Sequence, residues 1–275
     1  MNNNTDTCLR ELYIELLKNG LTFRLYPEQL GILNFLRIPP WIGWALRFFV
    51  KQLDKRDLVL ARRKTERDVE EGNFWPLYAQ TMVGLKRLRN VQECIEDVLE
   101  NGIEGDFLEA GVWRGGCAIF MKGMLVAWGD TKRKVFVADS FSGFPSHNPS
   151  IFSSESGFYK SSSYIAVSEE EVRDNFRRYG LLDDRVIFIK GYFEETLIHA
   201  PVEKLAILRI DADLYSAYKA ALNALYDKLS IGGYCIIDDY VMEGCRAAVD
   251  EYRKEKGILA PLRQIDWTGV YWKKE

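Results

Sequence analysis

From about residue 100 onward, short apolar runs alternate with longer stretches whose apolar positions recur at helical spacing. The apolar runs are Gly105–Gly111, Lys134–Ser140, Arg185–Gly191, Leu205–Asp213 and Gly232–Tyr240. The helical stretches between them are Gly115–Trp128, Ser168–Tyr179, Ser216–Leu229 and Gly244–Glu255. Runs that are apolar at nearly every position are typical of parallel strands covered by helices on both faces. The alternation therefore predicts an α/β domain with a doubly wound sheet and right-handed crossovers.

Two more apolar runs close the chain, Pro261–Trp267 and Gly269–Lys274, which meet at Thr268 and Gly269. Two strands so close in sequence predict an antiparallel hairpin. A mostly parallel sheet that ends in an antiparallel hairpin is typical of the Rossmann-like class I methyltransferases. The sheet of a nicotinamide dehydrogenase stays parallel, so the pattern favours the methyltransferase fold.

Residues 1–100 carry mostly helical patterns, and we expect them to form an N-terminal extension that serves as a lid or an oligomerisation region. Within it, Ile32–Val50 is apolar and aromatic, but two prolines and two arginines interrupt the run. No transmembrane segment is therefore expected. A hydrophobic lid helix, a dimer contact and a membrane-surface segment all fit this segment, and we favour the first two. We expect a homodimer or a higher homo-oligomer.

Composition excludes several classes of protein. The 275 residues are 47% hydrophobic and 13% aromatic, which suffices for a large core and argues against disorder. A net charge of −3 gives no bulk electrostatic reason to expect nucleic acid as a partner. The five cysteines show no CxxC spacing, and the first ten residues lack the apolar core of a signal peptide. We therefore expect a cytoplasmic protein with reduced cysteines.

A motif containing three glycines follows the first predicted strand, within Asp106-Phe-Leu-Glu-Ala-Gly-Val-Trp-Arg-Gly-Gly116. Its G-x-x-x-G-G spacing differs from the G-x-G-x-x-G of dinucleotide-binding turns. The acidic residue before the first glycine, Glu109, suits a cationic ligand such as a sulfonium methyl donor better than a pyrophosphate. A turn that only serves the packing of the helix on the strand is the alternative.

The second predicted strand ends in an acid, Asp139, which lies twenty-eight positions beyond Gly111. A carboxylate at this place can accept hydrogen bonds from both ribose hydroxyls of an adenosyl group. The alternative is an aspartate that faces solvent at the end of the strand.

Four aspartates follow the fourth and fifth predicted strands: Asp211, Asp213, Asp238 and Asp239. These strands are adjacent in sheets of this topology, so the four carboxylates are expected to converge at one edge of the cleft. Crowded carboxylates repel one another, and a divalent cation relieves that repulsion. All-oxygen ligands favour Mg²⁺, whereas zinc would require histidine or cysteine at suitable spacing. The alternative is that one or two of these acids cap the following helices.

These motifs, together with several other segments, resemble the macrocin O-methyltransferase (TylF) family, which methylates sugar hydroxyls in antibiotic biosynthesis. The segments that carry the resemblance are Glu11–Leu17, Thr81–Leu88, Gly105–Gly116, Asp139–Pro145, Lys190–Phe193, Glu195–Leu197, Asp211–Tyr215, Asp238–Tyr240 and Ile265–Trp272. The similarity covers residues 72–275 almost without gaps and is lower over 31–71. It implies a sugar O-methyltransferase that depends on S-adenosylmethionine and Mg²⁺, with its donor-binding domain over 101–275. The implied acceptor is a small-molecule glycoside or a glycan.

The resemblance also implies roles for individual residues. The amino-acid end of the donor is expected to be lined by Glu109, Gly111, Trp113 and Gly115, and covered by Thr81 and Met82. The adenosyl end is expected to meet Asp139 at the ribose, Ser140 and Phe141 near the adenine, and Gly191, Tyr192 and Phe193 on the other face. The implied metal ligands are Asp211, Asp238 and Asp239. The catalytic acids are Asp213, as general base, and Asp211, although Asp213 could equally be a ligand.

One departure from related enzymes narrows the chemistry. Catechol-type methyltransferases use a lysine shortly after the first metal-binding aspartate, whereas Leu214 and Tyr215 stand at that place here. A lysine base is therefore not supported, which fits the sugar-type branch. A second hypothesis is an adenosyl-binding module that has lost turnover and acts through protein contacts. The four crowded carboxylates argue against it.

Overall fold

The computed structural model of the chain describes residues 3–27, 29–32, 48–49, 52–53, 56, 58, 60–145, 152, 155 and 162–275. Its strands are, in chain order, β1 (Leu30–Ile32), β2 (Ala61–Arg63), β3 (Trp75–Pro76), β4 (Asp106–Ala110), β5 (Val135–Asp139), β6 (Val186–Lys190), β7 (Leu205–Ile210), β8 (Leu229–Ile237), β9 (Arg263–Gln264) and β10 (Val270–Lys273). Its α-helices are α1 (Asn3–Leu21), α2 (Glu66–Glu71), α3 (Leu85–Glu100), α4 (Gly116–Ala127), α5 (Ser162–Ile165), α6 (Glu169–Arg178), α7 (Phe193–Thr196), α8 (Tyr215–Leu225) and α9 (Glu243–Glu255). Short 3₁₀ turns follow α7 and α8 at Leu197–His199 and Tyr226–Lys228.

The central sheet has the order β6-β5-β4-β7-β8-β10-β9. The first five strands in this order pair in parallel, whereas β10 pairs antiparallel with both β8 and β9. The predicted doubly wound sheet with an antiparallel C-terminal hairpin is therefore confirmed. Each predicted apolar run from residue 105 onward contains one of these strands except Gly232–Tyr240, because β8 begins at Leu229, which the sequence analysis assigned to the preceding helix.

Both faces of the sheet are covered, as the apolar runs predicted. Side chains of alternate strand residues enter different clusters, so Phe107 packs with α3 and α4 whereas Leu108 packs with α8 and α9. Both side chains are fully buried, and burial of a side chain of this size contributes roughly 1.5–3 kcal/mol. Alternation thus makes one strand stabilise two helical layers. Among the residues that the structure describes, none of the helices combines the length and apolar character needed to cross a bilayer.

The N-terminal region contains a small antiparallel sheet with the order β2-β1-β3 in addition to helices. The sequence did not predict this sheet because its strands are only two or three residues long, too short to show a period. Most of the apolar segment Ile32–Val50 lies outside the described residues. The helix α3 buries Leu88, Val91 and Ile95 in the same cluster as the first strands of the main sheet.

Candidate functional site

A cavity of about 650 Å³ opens at the carboxyl ends of the parallel strands. The order of the sheet reverses between β4 and β7, since β5 and β6 extend to one side and β8 to the other. In open α/β sheets such a reversal leaves a crevice outside the strand ends, because the connecting helices diverge there. The topology therefore places the cavity where the sequence analysis placed the candidate motifs.

The cavity brings together fourteen of the predicted site residues. They are Thr81, Met82, Glu109, Gly111, Trp113, Asp139, Ser140, Gly191, Tyr192, Phe193, Asp211, Asp213, Asp238 and Asp239. Gly115 and Phe141 are not part of its lining. Gly115 begins α4 with φ of 83°, and Phe141 is buried with its ring 6.0 Å from that of Phe188.

Glycine at position 111 is required by the neighbouring strand. Gly111 has φ of 89°, and a Cβ placed there would lie 1.7 Å from the carbonyl oxygen of Asp211. The backbone of β4 can therefore pass the end of β7 only without a side chain. The packing interpretation of this glycine is thus supported by the structure, and it is compatible with a ligand on the open side.

Glu109 is a buried carboxylate in which one oxygen accepts a hydrogen bond and the other, called the orphan oxygen below, has no hydrogen-bond partner among the described residues. Its side chain is 2% exposed, and Oε1 accepts a hydrogen bond of 2.5 Å from Nη1 of Arg209. Oε2 finds no hydrogen-bond partner among the described residues. Burial raises the pKa of Glu109 to about 8, although the Arg209 guanidinium opposes that rise. A cationic ligand group in the cavity would satisfy the orphan oxygen and favour the ionised form.

Asp139 is held in place by the backbone of two loops. Its Oδ2 accepts hydrogen bonds from the N–H groups of Val112 at 2.9 Å and Trp113 at 3.3 Å. Its Oδ1 accepts one of 2.8 Å from the N–H of Phe141. Burial raises the pKa of Asp139, whereas these backbone donors lower it. The hydroxyl of Ser140 lies 3.4 Å from Oδ1 and is the weakest of these donors. The side chain is therefore fixed at the cavity wall, and Oδ1 is the oxygen that could accept a hydrogen bond from a ligand in place of Ser140.

The acids after β7 and β8 converge as predicted. Single carboxylate oxygens of Asp211, Asp238 and Asp239 lie within 4.8 Å of one another. Their backbone continues the strand ladder, since the N–H of Asp211 bonds to the carbonyl of Ala110 and that of Asp238 to the carbonyl of Ile210. The register of three neighbouring strands thus fixes the cluster.

Asp213 stands at the same edge in an unusual conformation. Its φ of 59° lies in the left-handed region, which costs a non-glycine residue about 1 kcal/mol or more. Its backbone N–H donates to Oδ2 of Asp239 at 3.2 Å. Burial, together with the neighbouring carboxylates of Asp211 and Asp238, raises the pKa of Asp213 well above its usual range. Strain and charge repulsion are both concentrated at this residue, as is common where a site performs chemistry.

Two buried arginines complete the cluster, and the sequence analysis missed both. Arg209 is fully buried and pairs with Asp211 at 3.0 Å as well as with Asp238. Arg87 is 6% exposed and pairs with the other oxygen of Asp238. A lone arginine inside the apolar run of β7 was a usable signal, because such a charge needs buried partners. Arg87 gave a weaker signal, since it lies in a helix with several charged residues.

Arg87 also anchors the C-terminal turn to the site. Its Nε lies 3.0 Å from Oδ2 of Asp266, although the two atoms are not aligned for a hydrogen bond. The Thr268 hydroxyl donates to the carbonyl of Asp238 at 2.9 Å. The antiparallel hairpin thus supports the acid cluster.

The N-terminal region and the segment before α6 meet over the cavity. The rings of Trp75 and Tyr164 stack with centroids 5.1 Å apart, and Trp113 Nε1 donates to the carbonyl of Tyr164 at 3.0 Å. The N-terminal region also lines the cavity with Arg62, Lys64, Asn73 and Phe74. The cavity is therefore walled by the sheet on one side and by aromatic and cationic side chains on the other.

Comparison with known proteins identifies relatives over nearly the whole chain. The family model for Macrocin-O-methyltransferase (TylF) matches residues 10–274. The chain is 50% identical over 204 residues to the 8-demethyl-8-(2,3-dimethoxy-alpha-L-rhamnosyl)-tetracenomycin-C 4'-O-methyltransferase of Streptomyces olivaceus, which covers 74% of this chain and 78% of the relative. It is 39% identical over 268 residues to the Mycinamicin III 3''-O-methyltransferase of Micromonospora griseorubida, with 96% of each chain covered.

A solved structure agrees with the fold. The structure of the O-methyltransferase NovP matches with a TM-score of 0.83 and 40% sequence identity, covering 96% of this chain and 99% of that chain. The similarity thus includes the N-terminal region as well as the central sheet.

Proposed function

This chain belongs to the macrocin O-methyltransferase (TylF) family of S-adenosylmethionine-dependent O-methyltransferases, and we propose that it methylates a sugar hydroxyl of a glycosylated natural product or glycan in a Mg²⁺-dependent reaction. One observation carries the proposal. A buried carboxylate with an orphan oxygen, Glu109, shares a cavity with the three-acid cluster of Asp211, Asp238 and Asp239. A cationic donor and a divalent cation thus have adjacent complementary places.

The donor fits the residues on the β4 and β5 side. The orphan Oε2 of Glu109 suits the ammonium of the donor's amino-acid part, which is the group that most needs a buried acceptor. Asp139, fixed by three backbone N–H groups, suits the ribose hydroxyls. Thr81, Met82 and Trp113 would cover the amino-acid end, and Gly191, Tyr192 and Phe193 would flank the adenine together with Ser140.

The charge of the cluster favours a cation. Four carboxylates contact the two guanidiniums (Glu109, Asp211, Asp238 and Asp266), and Asp213 and Asp239 lie beside the other acids of the cluster. These six carboxylates and two guanidiniums leave an excess of four negative charges if all are ionised. Without a cation, that repulsion favours protonation of some of the acids, and burial raises the pKa of Asp211 to about 6. Carboxylate oxygens are hard ligands, and Mg²⁺ is the ion that binds such sets while leaving positions for substrate oxygens.

When bound, S-adenosylmethionine supplies an electrophilic methyl group and Mg²⁺ supplies positive charge that makes a nearby hydroxyl more acidic. The acids of the chain would then act on the acceptor. Asp213 is the proposed general base, because it lines the cavity beside the cluster but does not supply one of the three carboxylate oxygens that converge there. A carboxylate in this role accepts the hydroxyl proton and contributes a factor of about 10²–10⁴ in rate.

The acceptor class follows from the relatives, whose names describe O-methylation of tetracenomycin carrying a rhamnosyl group and of mycinamicin III. In the first of these names, positions 2 and 3 of the sugar already carry methoxy groups. A sugar hydroxyl and an oxygen substituent on the neighbouring carbon, hydroxyl or methoxy, would offer two oxygens toward one hard cation and so help to orient the acceptor. We therefore propose such a pair of vicinal oxygens as the acceptor feature and a glycoside rather than a free aglycone as the substrate.

The test is methyl transfer from isotopically labelled S-adenosylmethionine to a panel of glycosides and their aglycones, read by mass spectrometry. Labelled product is expected from glycosides with a free sugar hydroxyl beside a second hydroxyl or a methoxy group; it should be lost with EDTA and restored by added Mg²⁺. Asp239→Asn should lose the response to Mg²⁺, whereas the charge-matched control Asp184→Asn changes an exposed residue outside the cavity. Donor binding that ignores Mg²⁺, with no transfer to any glycoside, would instead support an inactive adenosyl-binding module.

A further inference from the structure

We propose that Arg209 is a positioning residue shared by the donor subsite and the cation subsite, so that one guanidinium sets the affinity of both. This inference rests on the proposed function, because it concerns the same cavity. Arg209 contacts neither reacting group in our assignment; it acts through Glu109 on one side and through Asp211 and Asp238 on the other.

The contacts of Arg209 divide cleanly between the two subsites. Nη1 donates to Oε1 of Glu109 at 2.5 Å, whereas Nη2 donates to Oδ2 of Asp211 at 3.0 Å and to Oδ1 of Asp238. The arginine is 0% exposed, and Glu109 and Asp238 are 2% and 5% exposed. The pairs with Glu109 and Asp238 are therefore shielded from solvent, whereas the Asp211 side chain is 23% exposed, and no other donor among the described residues reaches the Glu109 carboxylate.

The position of Arg209 in the sheet explains how one side chain reaches both subsites. It lies on β7, which has β4 on one side and β8 on the other. In the register of the sheet, Arg209 is the partner of Glu109 on β4 and of Ile236 on β8, two residues before Asp238. The planar fork of a guanidinium presents its two Nη groups toward acids on the two flanking strands at once, whereas an ammonium donates from a single nitrogen and cannot reproduce that spread.

Both subsites depend on this bridge because it fixes the orientation of their acids. Without Arg209, Glu109 would be a buried anion with no compensating charge, close to two further acids, and would bind a cationic ligand only after reorganisation. Asp211 and Asp238 would lose the donor that fixes their orientation. Partners that orient ligand residues in this way typically affect metal affinity by about 10–100-fold.

Arg87 offers an internal comparison. It pairs with Asp238 and Asp266 and donates to the carbonyl of Gly72 at 3.2 Å, but it makes no contact with Glu109. Arg87 is similarly buried and carries the same charge, yet it touches only the cation side. A shared role for Arg209 therefore predicts that its replacement lowers the affinity for both ligands, whereas replacement of Arg87 lowers the affinity for the cation alone.

The experiment measures two affinities of the purified protein. The affinity for S-adenosylhomocysteine is measured without metal, by calorimetry. The affinity for Mn²⁺ is measured without donor, from the EPR signal of the free ion. Arg209→Lys is expected to lower both by about tenfold or more. Arg87→Lys is expected to weaken Mn²⁺ alone. Glu109→Gln is expected to weaken S-adenosylhomocysteine by a similar factor and leave Mn²⁺ within about threefold.

Thermal melting and near-ultraviolet circular dichroism report whether each variant folds. If Arg209→Lys does not fold, the paired variant Glu109→Gln with Arg209→Met removes one buried charge of each sign. Its Mn²⁺ affinity should fall by about tenfold relative to Glu109→Gln alone. A folded Arg209 variant that loses affinity for only one probe, or for neither, overturns the shared role. Wild-type protein that binds neither probe contradicts the proposed function itself, so the two failures are distinguishable.

Discussion

The replacement of Asp213 by asparagine isolates proton transfer from binding. Asparagine has the shape of aspartate and tolerates the left-handed backbone region that Asp213 occupies at φ of 59°. The backbone hydrogen bond from residue 213 to Asp239 does not involve the side chain and should persist. The substitution also removes one charge from a crowded group of acids, so we expect no loss of fold stability.

The magnitude follows from the role assigned to the carboxylate. A general base contributes a factor of about 10²–10⁴ in rate, which corresponds to roughly 3–5 kcal/mol of transition-state stabilisation. Asp213 does not contact Glu109 or Asp139, which are the acids of the proposed donor subsite. The loss should therefore appear in kcat, while the affinity for S-adenosylhomocysteine stays within about threefold.

The assay is single-turnover methyl transfer with donor and Mg²⁺ saturating, which separates chemistry from product release. Calorimetry with S-adenosylhomocysteine gives the donor affinity of the same preparation. Asp184→Asn serves as the control because it removes one charge from an exposed loop outside the cavity. A rate for Asp213→Asn within tenfold of the wild-type rate would refute the assignment of Asp213 as base.

Two further predictions concern the framework of the site. Gly111→Ala should lower the free energy of unfolding by several kcal/mol, since its Cβ would lie 1.7 Å from the backbone of the neighbouring strand. The control is Gly102→Ala, at φ of 63° in open space, which should lower it by only about 1 kcal/mol. Thermal or urea unfolding measures both. Burial alone would raise the pKa of Asp97. Hydrogen bonds from Lys273 and Tyr234 lower the pKa by more than burial raises it, so the folded pKa is depressed. Its contribution to stability is then present above the unfolded pKa of about 3.9 and is lost as the pH falls through the folded pKa. Urea unfolding should therefore show Asp97→Asn less stable than wild type at neutral pH by up to about 1 kcal/mol, with the difference shrinking below about pH 4; an equal difference at both pH values would contradict this linkage.

The parallel part of the central sheet was predictable because its inner strands are buried on both faces. A strand such as β7, with all six residues buried, leaves an apolar run that no amphipathic helix would show. The small N-terminal sheet was not predictable, since β1, β2 and β3 are held by tertiary neighbours and carry too few residues for a period. Where tertiary contacts alone select a strand, the local sequence holds no signal for it.

The acids of the candidate site were predictable for a related reason. Asp211 and Asp238 each follow directly after a buried strand, and the ends of parallel neighbouring strands lie at one edge of a sheet. The role of Gly111 was only partly predictable. The sequence indicated that a ligand comes close to the backbone at Gly111, but it did not indicate that the carbonyl group of Asp211 also lies against this glycine. Arg87 was harder to predict than Arg209, because it lies in a helix with several other charged residues, and nothing local indicates that it contacts an aspartate 151 positions away.

The two arginines change what kind of cation the cluster can hold. Both oxygens of Asp238 already accept hydrogen bonds from guanidinium groups, so an incoming ion shares this ligand with Arg87 and Arg209. The negative excess favours a dication, and because Arg87 and Arg209 hold Asp238 in place, the proposed ion would not be needed to keep the acids together. Such an ion would therefore be free to exchange with solvent. The arrangement therefore favours an ion that acts during turnover over one that is permanently structural, which is why removal by EDTA should be reversible without loss of the fold.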